Sequence, residues 1–399
     1  MTIPYHEVIL GLLALMMVVV LVNVVGFRRL PRWAAPERPG SEGTPMVSVL
    51  IPARNEERNI GTTLSTLARQ DYPRMEIVVL NDNSADGTEA VVKERAGADP
   101  RIRLIQGGAL PEGWVGKSYA CHQLAGEAQG DLLLFVDADT AHEQWSVGAA
   151  VEEMRRSRAD LLTVIPAQTM RTFWEKLILP LLHYSTFCFL PMPLVSVTRS
   201  PKLAMANGQF MLFRKEVYRA IGGHAGVRTA MVEDVWLSRR VKEEGYRLVI
   251  RDGTGSVRAR MYRSLREIWQ GFSKNLFAGF NYSLPMIGGV VVFNALTSVL
   301  PFILLPAGII AGMEFAPWTA VVALQVALVL AIRLALAARF RLDVWTIVLH
   351  PLAMGIFCGI ALNSARWVLV RGGARWKGRT YDFRNQPMDT HHINGRVST

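Results

Sequence analysis

The chain has 399 residues, of which 50% are hydrophobic and 19% are charged, and its formal net charge is +11. This length suffices for one α/β domain and several membrane spans, and the hydrophobic content excludes a wholly soluble protein. The basic residues lie mostly beside apolar runs and form no stripe interleaved with aromatic side chains, so we expect a membrane partner and no nucleic acid.

The first predicted element is a membrane-spanning helix from Val8 to Phe27, within an N-terminal segment of residues 1–30. The helix carries no charge, and at a rise of about 1.5 Å per residue it matches a bilayer core of about 30 Å. A cleaved signal peptide is the alternative, but the residues before the run include no Lys or Arg. Four arginines follow at once and predict a cytoplasmic domain in a multi-pass protein of the cytoplasmic membrane: Arg28, Arg29, Arg32 and Arg38.

Strands and helices alternate after a polar linker at residues 40–45. Apolar runs that end in turn residues predict buried strands, and apolar residues three or four positions apart predict the helices between them. The alternation is typical of a doubly wound, mostly parallel α/β sheet, which we expect within a domain at residues 46–256. The predicted strands are Val47–Pro52, Glu76–Leu80, Arg103–Gln106 and Leu132–Val136, and the predicted helices are Arg58–Arg69, Asp86–Arg95 and Lys117–Gln129.

The last third of the chain is predicted to return to the membrane. Residues 257–285 mix arginines with aromatic side chains, which indicates interfacial helices, and residues 371–399 form a basic tail. Residues 286–370 hold three apolar stretches that could each span a bilayer: Met286–Gly312, Trp318–Ala338 and Val344–Leu362. One span before the domain and three after it would place the basic tail outside the cell, against the positive-inside rule, so one stretch is expected to be re-entrant or to be divided differently.

A further apolar run, Leu177–Val197, lies inside the predicted domain. Three prolines interrupt it, at positions 180, 191 and 193. Because proline breaks the hydrogen bonding of a helix, we expect this run to lie on the membrane and not to cross it.

Two acidic residues follow the strand Leu132–Val136. In an open α/β sheet ligands bind beyond the carboxyl ends of the strands, which is where Asp137 and Asp139 lie. Mg²⁺ or Mn²⁺ prefers such oxygen ligands and commonly bridges carboxylates to phosphate oxygens. A solvated acidic loop is the alternative. The cysteines lie far apart and indicate neither a zinc site nor a disulfide framework: Cys121, Cys188 and Cys358.

Two more polar strand ends are predicted at the same edge of the sheet. The first strand leads into residues 53–57, and the second leads into Asp82 and Asp86. Carboxylates there could accept hydrogen bonds from a ribose or a base. Asp82 is the stronger candidate, because Asp86 also fits a helix N-cap.

Lys117 begins a predicted helix after Gly113 and Gly116. Helix-terminal amides and an ammonium group could both contact a diphosphate, and a surface lysine is the alternative. The spacing of the glycines is not that of a Walker P-loop.

Five segments in this order resemble family 2 glycosyltransferases of the GT-A fold. The closest resemblance is to membrane-bound bacterial members associated with hopanoid or carotenoid (diaponeurosporenoate) biosynthesis, and it covers nearly the whole chain. The segments are VSVLIPARNEERNI, IVVLNDNSADGT, GKSYACHQL, LLLFVDADT and VEDVWLSRRV.

The resemblance implies a nucleotide-sugar site and a metal ion, Mg²⁺ or Mn²⁺. It implies that Asp82 holds the nucleobase, Asp137 the ribose and Asp139 the metal ion, and the pair of acids at the strand end adds Asp137 as a candidate ligand of the ion. Ala53 and Glu56 would line the nucleotide pocket, and the matching Gly-Lys pair favours a contact of Lys117 with the diphosphate.

The resemblance also implies a catalytic base at Glu233 or Asp234, just before a predicted helix that runs to residue 245. Inverting sugar transfer needs a carboxylate that removes the proton of the acceptor hydroxyl, and Asp234 is preferred, with Glu233 orienting or substituting for it. An acidic N-cap is the alternative. Asn207, Gly208 and Gln209 match the acceptor side of the family.

One family motif is missing. Many membrane members carry Gln-x-x-Arg-Trp on an interfacial helix, whereas here Arg266, Trp269 or Lys274 would have to take its place. We therefore expect a single transfer of a hexose from a UDP- or GDP-linked sugar to a polyisoprenoid, hopanoid or carotenoid lipid. The alternatives are a processive polysaccharide synthase, a lipid transporter with a vestigial nucleotide domain, supported only by Arg333 and His350 within apolar stretches, and a catalytically silent partner protein.

Overall fold

The computed structural model of the protein describes residues 3–33, 44–313, 317–371 and 373–382. The chain divides into two compact units. We name them the sheet unit, which comprises mainly Arg28–Thr169 and Leu194–Met261, and the apolar unit, which comprises Met1–Phe27, Met170–Pro193 and Tyr262–Met388. Each is described by itself.

The chain begins with an apolar helix and continues into the parallel half of a sheet. The strands pair in the order β3-β2-β1-β4, all parallel, and their side chains are buried almost without interruption in β1, β2 and β4. Such uniform burial is typical of strands covered on both faces. The elements are α1 (Ile3–Gly26), β1 (Val47–Ala53), α2 (Ile60–Leu67), β2 (Met75–Asn81), α3 (Thr88–Ala98), β3 (Ile102–Gln106), α4 (Gly116–Glu127) and β4 (Leu132–Val136). The strand and helix predictions for this half are confirmed to within a few residues.

The second half of the sheet is mixed. The order continues β4-β7-β6-β8-β5, in which β7 is antiparallel to both neighbours, β6 and β8 are parallel, and β5 is antiparallel to β8. The predicted α/β architecture is confirmed, as one eight-stranded mixed sheet with flanking helices. The elements are β5 (Thr140–His142), α5 (Ser146–Ser157), β6 (Leu161–Gln168), α6 (Phe173–Ile178), α7 (Pro180–Phe187), α8 (Met192–Val197), β7 (Phe210–Arg214), α9 (Lys215–Ala220), α10 (Glu233–Glu243) and β8 (Leu248–Ala259).

The proline-interrupted run forms short helices. Pro180 is the first residue of α7, a position where its missing N–H costs no helical hydrogen bond. The longest helix of the run, α7, has eight residues, which is far short of the length of about 20 residues that a span requires.

Within the described residues, the apolar unit contains four helices that are long and apolar enough to cross a membrane: Tyr5–Gly26, Leu284–Ile310, Pro317–Phe340 and His350–Val370. A π-helical turn at Ala295–Val299 interrupts the second of them just before Pro301, which cannot donate a backbone hydrogen bond. The elements of this region are α11 (Leu265–Gly279), α12 (Leu284–Asn294), α13 (Leu300–Ile310), α14 (Pro317–Phe340), α15 (Trp345–Val348), α16 (His350–Arg371) and the hairpin β9 (Gly373–Trp376) with β10 (Arg379–Asp382).

Contacts inside the apolar unit fix the directions of these helices. Early residues of α12 meet the end of α16, since Ile287 packs in one cluster with Ala361 and Ala365, and further along Cys358 Sγ lies 3.9 Å from the Val291 carbonyl oxygen. The α12–α13 segment therefore runs antiparallel to α16. It is antiparallel to α14 as well, because the start of α14 packs against the end of α13, where a Cβ on Gly308 would lie against the ring of Trp318.

The first helix runs in the same direction as α14. The ring centroid of His6, near the start of α1, lies 5.9 Å from that of Trp318, near the start of α14. At the other end, Arg339 Nη2 donates a hydrogen bond of 3.1 Å to the carbonyl oxygen of Phe27. Helices α1, α14 and α16 thus share one direction, and α12–α13 runs opposite to them.

Candidate active site

Strands β1 and β2 end side by side, and their loops are joined by hydrogen bonds. Ala53 lies opposite Asn81 at the end of the ladder, and Asp82 N donates to the Ala53 carbonyl oxygen at 2.7 Å. Beyond them Asn55 and Asn83 adopt left-handed backbone conformations, with φ of 51° and 52°, which asparagine tolerates better than most residues. The two loops, residues 54–57 and 82–86, therefore form one hydrogen-bonded surface at the carboxyl edge of the sheet.

Glu56 and Asp86 lie within this hydrogen-bonded surface. The backbone N–H of Glu56 donates to Thr88 Oγ1 at 2.8 Å, and the side chain of Asp86 accepts from the backbone N–H groups of Thr88 and Glu57 at 3.1 and 3.2 Å. Asp86 therefore has a structural role at the start of α3. The sequence offered a helix N-cap as the alternative to ligand binding, and Asp86 lies one residue before the actual N-cap, Gly87. Asp82 is buried.

The antiparallel pairing of β4 with β7 brings two predicted site segments together. Val136, the last residue of β4, lies opposite Phe210, the first residue of β7. Residues 137–139 follow β4 and residues 207–209 precede β7. Because the two strands are antiparallel, both segments lie at the same edge of the sheet. The sequence did not predict this pairing, because the partner strand lies more than 70 residues away along the chain.

Lys117 connects two of the predicted acidic residues. Its Nζ lies 2.8 Å from Asp137 Oδ1 and 2.9 Å from Glu233 Oε1. Burial opposes the charge of the ammonium group, but the two carboxylates outweigh it and hold the pKa of Lys117 well above its usual value. The ammonium group is therefore charged at neutral pH and bridges the end of β4 to the start of α10.

Asp234 lies beside this bridge and is held by two backbone amides. Its Oδ2 accepts a hydrogen bond from Gly208 N, and its Oδ1 accepts one from Val235 N, both at 2.9 Å. Burial and the charge of Glu233 together raise the pKa of Asp234 to about 6, although Lys117 and the two backbone hydrogen bonds oppose the rise. A carboxyl group with this pKa can exchange a proton near neutral pH. The N-cap of α10 is Val232, so neither acid is the N-cap that the alternative interpretation required.

Gly208 is the point of closest approach between the acceptor-side turn and the charged residues. A Cβ at this position would lie 3.1 Å from Lys117 Nζ and 3.4 Å from Asp234 Oδ2. Glycine therefore lets the turn approach both side chains.

The neighbours of Gly208 hold the turn in place. Asn207 Oδ1 accepts from Gln209 N at 2.9 Å, and Asn207 N donates to Thr163 Oγ1 at 3.0 Å. The side-chain amide of Gln209 in turn accepts from Gln168 Nε2 at 3.2 Å. Neither Thr163 nor Gln168 was singled out from the sequence.

Cys121 is buried under the charged residues and was not predicted to be near them. It follows Lys117 by one helical turn on α4, and this i,i+4 spacing is the signal that could have found it. Burial raises the pKa of its thiol, and the charges of Glu233, Asp137 and Asp82 raise it further, while Lys117 lowers it. Carboxylates from three separate segments thus lie within electrostatic range of one buried side chain.

Asp137 and Asp139 are half-buried on either side of buried Ala138. Two main-chain contacts fix this turn: Thr140 Oγ1 donates to the Asp137 carbonyl oxygen at 2.8 Å, and the Asp139 carbonyl oxygen accepts from Arg260 N at 3.1 Å. Within the described ranges, no group of three or more His, Cys, Asp or Glu side chains could enclose a metal ion. Two carboxylates suit Mg²⁺ or Mn²⁺, which usually completes its shell with phosphate oxygens and water.

Arg266 and Trp269 lie on α11, in the apolar unit. Trp269 Nε1 lies 3.1 Å from the side-chain amide of Asn363 on α16, and Trp367 Nε1 lies 3.2 Å from the same group. Because an indole N–H can only donate, the amide oxygen of Asn363 must face both rings. Trp269 therefore connects α11 to α16 through a hydrogen bond to Asn363.

The comparison with known proteins identifies the sheet unit. The family model for glycosyl transferase family 2 matches residues 48–222. Those residues are a family 2 glycosyltransferase domain. The protein is thus a glycosyltransferase, as the sequence motifs predicted.

Two similar proteins match most of the length of this glycosyltransferase. The 4,4'-diaponeurosporenoate glycosyltransferase of Staphylococcus aureus is 25% identical over 352 residues, which cover 84% of this chain and 88% of the relative. The mannosyltransferase PcManGT of Pyrobaculum calidifontis, solved in complex with GDP-Man and Mn²⁺, superposes with a TM-score of 0.53 at 17% identity and covers 92% of this chain and 99% of its own. The predicted GT-A fold is confirmed.

Proposed function

We propose that this glycosyltransferase transfers a hexose, with inversion, from a nucleotide sugar to the hydroxyl or carboxyl group of a lipid in the cytoplasmic membrane. One observation carries the proposal: Lys117, Asp137 and Glu233 form a charged cluster beside Asp234 at the carboxyl edge of the sheet. Ligands bind at this edge in open α/β folds.

The donor site is proposed at the ends of β1, β2 and β4. Asp82 would accept hydrogen bonds from the nucleobase and Asp137 from the ribose, and Ala53 and Glu56 would line the pocket. Lys117 supports a diphosphate contact, because its charged ammonium is already held at this edge and could exchange a carboxylate for a phosphate oxygen. The bound GDP-Man of the similar mannosyltransferase is consistent with a nucleotide sugar.

A divalent ion is proposed at Asp139 and Asp137. Both side chains are half-buried at the end of β4, and two carboxylates are a usual protein contribution to an ion that takes its remaining ligands from a diphosphate and water. When bound, the ion would neutralise the charge of the departing nucleoside diphosphate. Mn²⁺ in the similar mannosyltransferase supports this assignment.

Asp234 is proposed as the base. In the reaction the acceptor oxygen forms a bond to the anomeric carbon, the bond from that carbon to the diphosphate breaks on the opposite face, and the acceptor proton passes to Asp234. The hydrogen bonds from Gly208 and Val235 orient the carboxylate, and its raised pKa suits a base that works near neutral pH. A lipid carboxylic acid has already lost its proton at that pH, so it depends less on this base than a lipid alcohol does.

The lipid acceptor is proposed from the architecture and from a relative. Four helices of the apolar unit have the length and composition of membrane spans, and an acceptor that is dissolved in a bilayer requires an enzyme held there. The similar staphylococcal enzyme is named for a carotenoid acid. We propose an isoprenoid lipid of this kind.

The proposal is tested with the purified full chain in lipid vesicles. Labelled UDP- and GDP-hexoses are each supplied with an isoprenoid alcohol or an isoprenoid carboxylic acid, and the extracted lipids are analysed by mass. We expect one donor to give a hexosylated lipid in the presence of Mg²⁺ or Mn²⁺. Release of free hexose without a glycolipid, or extension to a polymer, would contradict the proposal.

Matched variants separate the site from general effects on folding. At an Mn²⁺ concentration that saturates the wild type, Asp139→Asn should strongly reduce transfer to both acceptors, and Asp234→Asn should strongly reduce transfer to the alcohol. Asp71→Asn is the control, because Asp71 is exposed and precedes β2, at the opposite end of that strand from Asp82. Folded Asp139→Asn protein with the activity of the control would exclude the proposed metal site.

A further inference from the structure

Arg333 is an arginine buried inside the apolar unit. It lies on α14 about two turns before the end of the helix, and only 1% of its surface is exposed. Its Nη2 makes a long contact of 3.4 Å with Thr346 Oγ1, and among the described residues its Nε and Nη1 have no hydrogen-bond partner. No ion pair in the described part of the chain involves it; Asp343, ten residues on, pairs with Lys176. An unpaired charge in such a place costs on the order of several kcal/mol.

Polar side chains from three other segments surround this charge. Tyr184 on α7 and His350 at the start of α16 lie within electrostatic range of Arg333, and their ring centroids are 4.8 Å apart. The Tyr184 hydroxyl lies 3.1 Å from Ser298 Oγ in the π-helical turn. Both ring nitrogens of His350 are buried without a hydrogen-bond partner among the described residues. We call Arg333, His350, Tyr184 and Ser298 the Arg333 cluster.

The Arg333 cluster offers hydrogen-bond donors and lacks an acceptor with a negative charge. Arg333 has unused N–H groups and a neutral histidine offers one ring N–H, while the hydroxyls of Tyr184 and Ser298 bond to each other and leave one O–H between them to donate. An oxyanion such as a phosphate or a carboxylate would satisfy these donors and neutralise the guanidinium, for which arginine has the best-matched geometry.

Apolar surface adjoins the cluster. Thr346 belongs to α15, a helix of only four residues, and the neighbouring Val344 and Val348 are 63% and 73% exposed. Leu352, two residues after His350, is 50% exposed. Exposed aliphatic side chains of this kind are suited to acyl or isoprenoid chains and not to a hydrated ion.

We propose that the Arg333 cluster binds the phosphate or carboxylate group of an anionic lipid within the membrane. The lipid chain would lie against Val344, Val348 and Leu352, and the short helix α15 would move to admit the charged group. The inference does not depend on the transfer reaction, and it assigns Arg333 and His350 a role that a purely apolar bundle would not need.

The test uses the purified full chain in nanodiscs of phosphatidylcholine. Phosphatidylglycerol is added in one arm, a long-chain fatty acid in a second and inorganic phosphate in a third, and the midpoint of thermal unfolding is measured together with the lipids retained after extraction into detergent. We expect one of the two anionic lipids to raise the midpoint and to be retained, which identifies the phosphate or the carboxylate as the ligand. Inorganic phosphate should have no effect.

Variants decide whether Arg333 is responsible. Arg333→Met should weaken the apparent affinity for the anionic lipid about tenfold or more, which corresponds to the loss of one charge-assisted contact. In phosphatidylcholine alone this variant should unfold at the same temperature as the wild type or higher, because it no longer buries an unpaired charge. Arg341→Gln removes an exposed charge just beyond the same helix and should behave as the wild type.

Three outcomes would overturn the proposal. Arg333→Met could show the same lipid-dependent rise as the wild type, inorganic phosphate could reproduce the rise, or the wild type could retain no anionic lipid. If Arg333→Met does not fold, the retention measured on the wild type still decides, and Arg333→Lys, which keeps the charge without the planar fork, should retain less lipid than the wild type.

Discussion

Asp234 should make both the activity and the stability of this enzyme depend on pH, in opposite directions. Its pKa is about 6, against 3.8 for an unperturbed aspartate. The shift of about two units corresponds to about 3 kcal/mol at most, because each unit is worth about 1.4 kcal/mol and the half-buried carboxylate keeps some contact with water. The folded protein favours the protonated form, so this stabilisation is fully present below pH about 4 and is lost as the pH rises through about 6.

The variant Asp234→Asn removes this dependence. Between pH 4 and 7 the wild type should lose up to about 3 kcal/mol relative to the variant, measured as the change in the difference between their unfolding midpoints. The absolute stability of the variant should stay near that of the wild type at neutral pH. It no longer buries a charge, but the asparagine NH₂ group faces one of the two backbone N–H donors from Gly208 and Val235, which costs about 1–3 kcal/mol.

Activity with a lipid alcohol should show the opposite trend. The base must be deprotonated, so the wild-type rate should fall about tenfold per pH unit below 6, and Asp234→Asn should lose about 10²- to 10⁴-fold at neutral pH. The assay follows glycolipid formation at saturating donor, with Asp71→Asn as the control. An acid limb of the wild type near pH 4, or unfolding midpoints of wild type and variant that change in parallel with pH, would contradict this role of Asp234.

Four further substitutions test single contacts. Lys117→Met should raise the donor KM about tenfold or more and move the acid limb of the pH–rate profile to higher pH, because Lys117 lowers the pKa of Asp234; an unchanged limb would contradict the bridge. Gly208→Ala should lower kcat/KM about tenfold with little change in unfolding midpoint, since the new methyl group presses on Lys117 and Asp234. Asp139→Asn should raise the Mn²⁺ concentration for half-maximal activity at least about tenfold, measured by titration after chelation. Asn363→Leu should destabilise the fold by about 1–3 kcal/mol in thermal unfolding, because two indole N–H groups lose their acceptor.

The parallel half of the sheet could be predicted from the sequence because its signals are local. Each strand from β1 to β4 is a short apolar run that ends in turn residues, and the helices between them carry apolar residues at helical spacing. The pairing of consecutive parallel strands then places residues 53–57, 82–86 and 137–139 at one edge. The family motifs named the same residues.

The second half of the sheet and the bridge through Lys117 required the structure. The antiparallel position of β7 between β4 and β6 depends on pairings between residues 48 to 82 positions apart, which no local pattern records. The same pairing places Gly208 against Lys117 and Asp234. Sequence reasoning assigned Lys117 to a diphosphate and Glu233 to a supporting role, and the ion pair between them joins α4 to α10, two helices that lie far apart in sequence.

The directions of the apolar helices bear on the conflict between the number of spans and the distribution of charge. Helices α1, α14 and α16 run one way and α12–α13 the other, so α16 does not reverse the direction of α14. Residues 341–349 carry the chain back by only about two turns of α14, because Thr346 contacts Arg333. The ends of α1, α14 and α16 then lie on one side, together with the start of α12. Each of these ends is followed or flanked by arginines: Arg28 and Arg29, Arg339 and Arg341, Arg366 and Arg371. Since such residues favour the cytoplasmic face, the helix directions support our proposal that the tail is cytoplasmic and that the re-entrant stretch is the one that begins after Phe340.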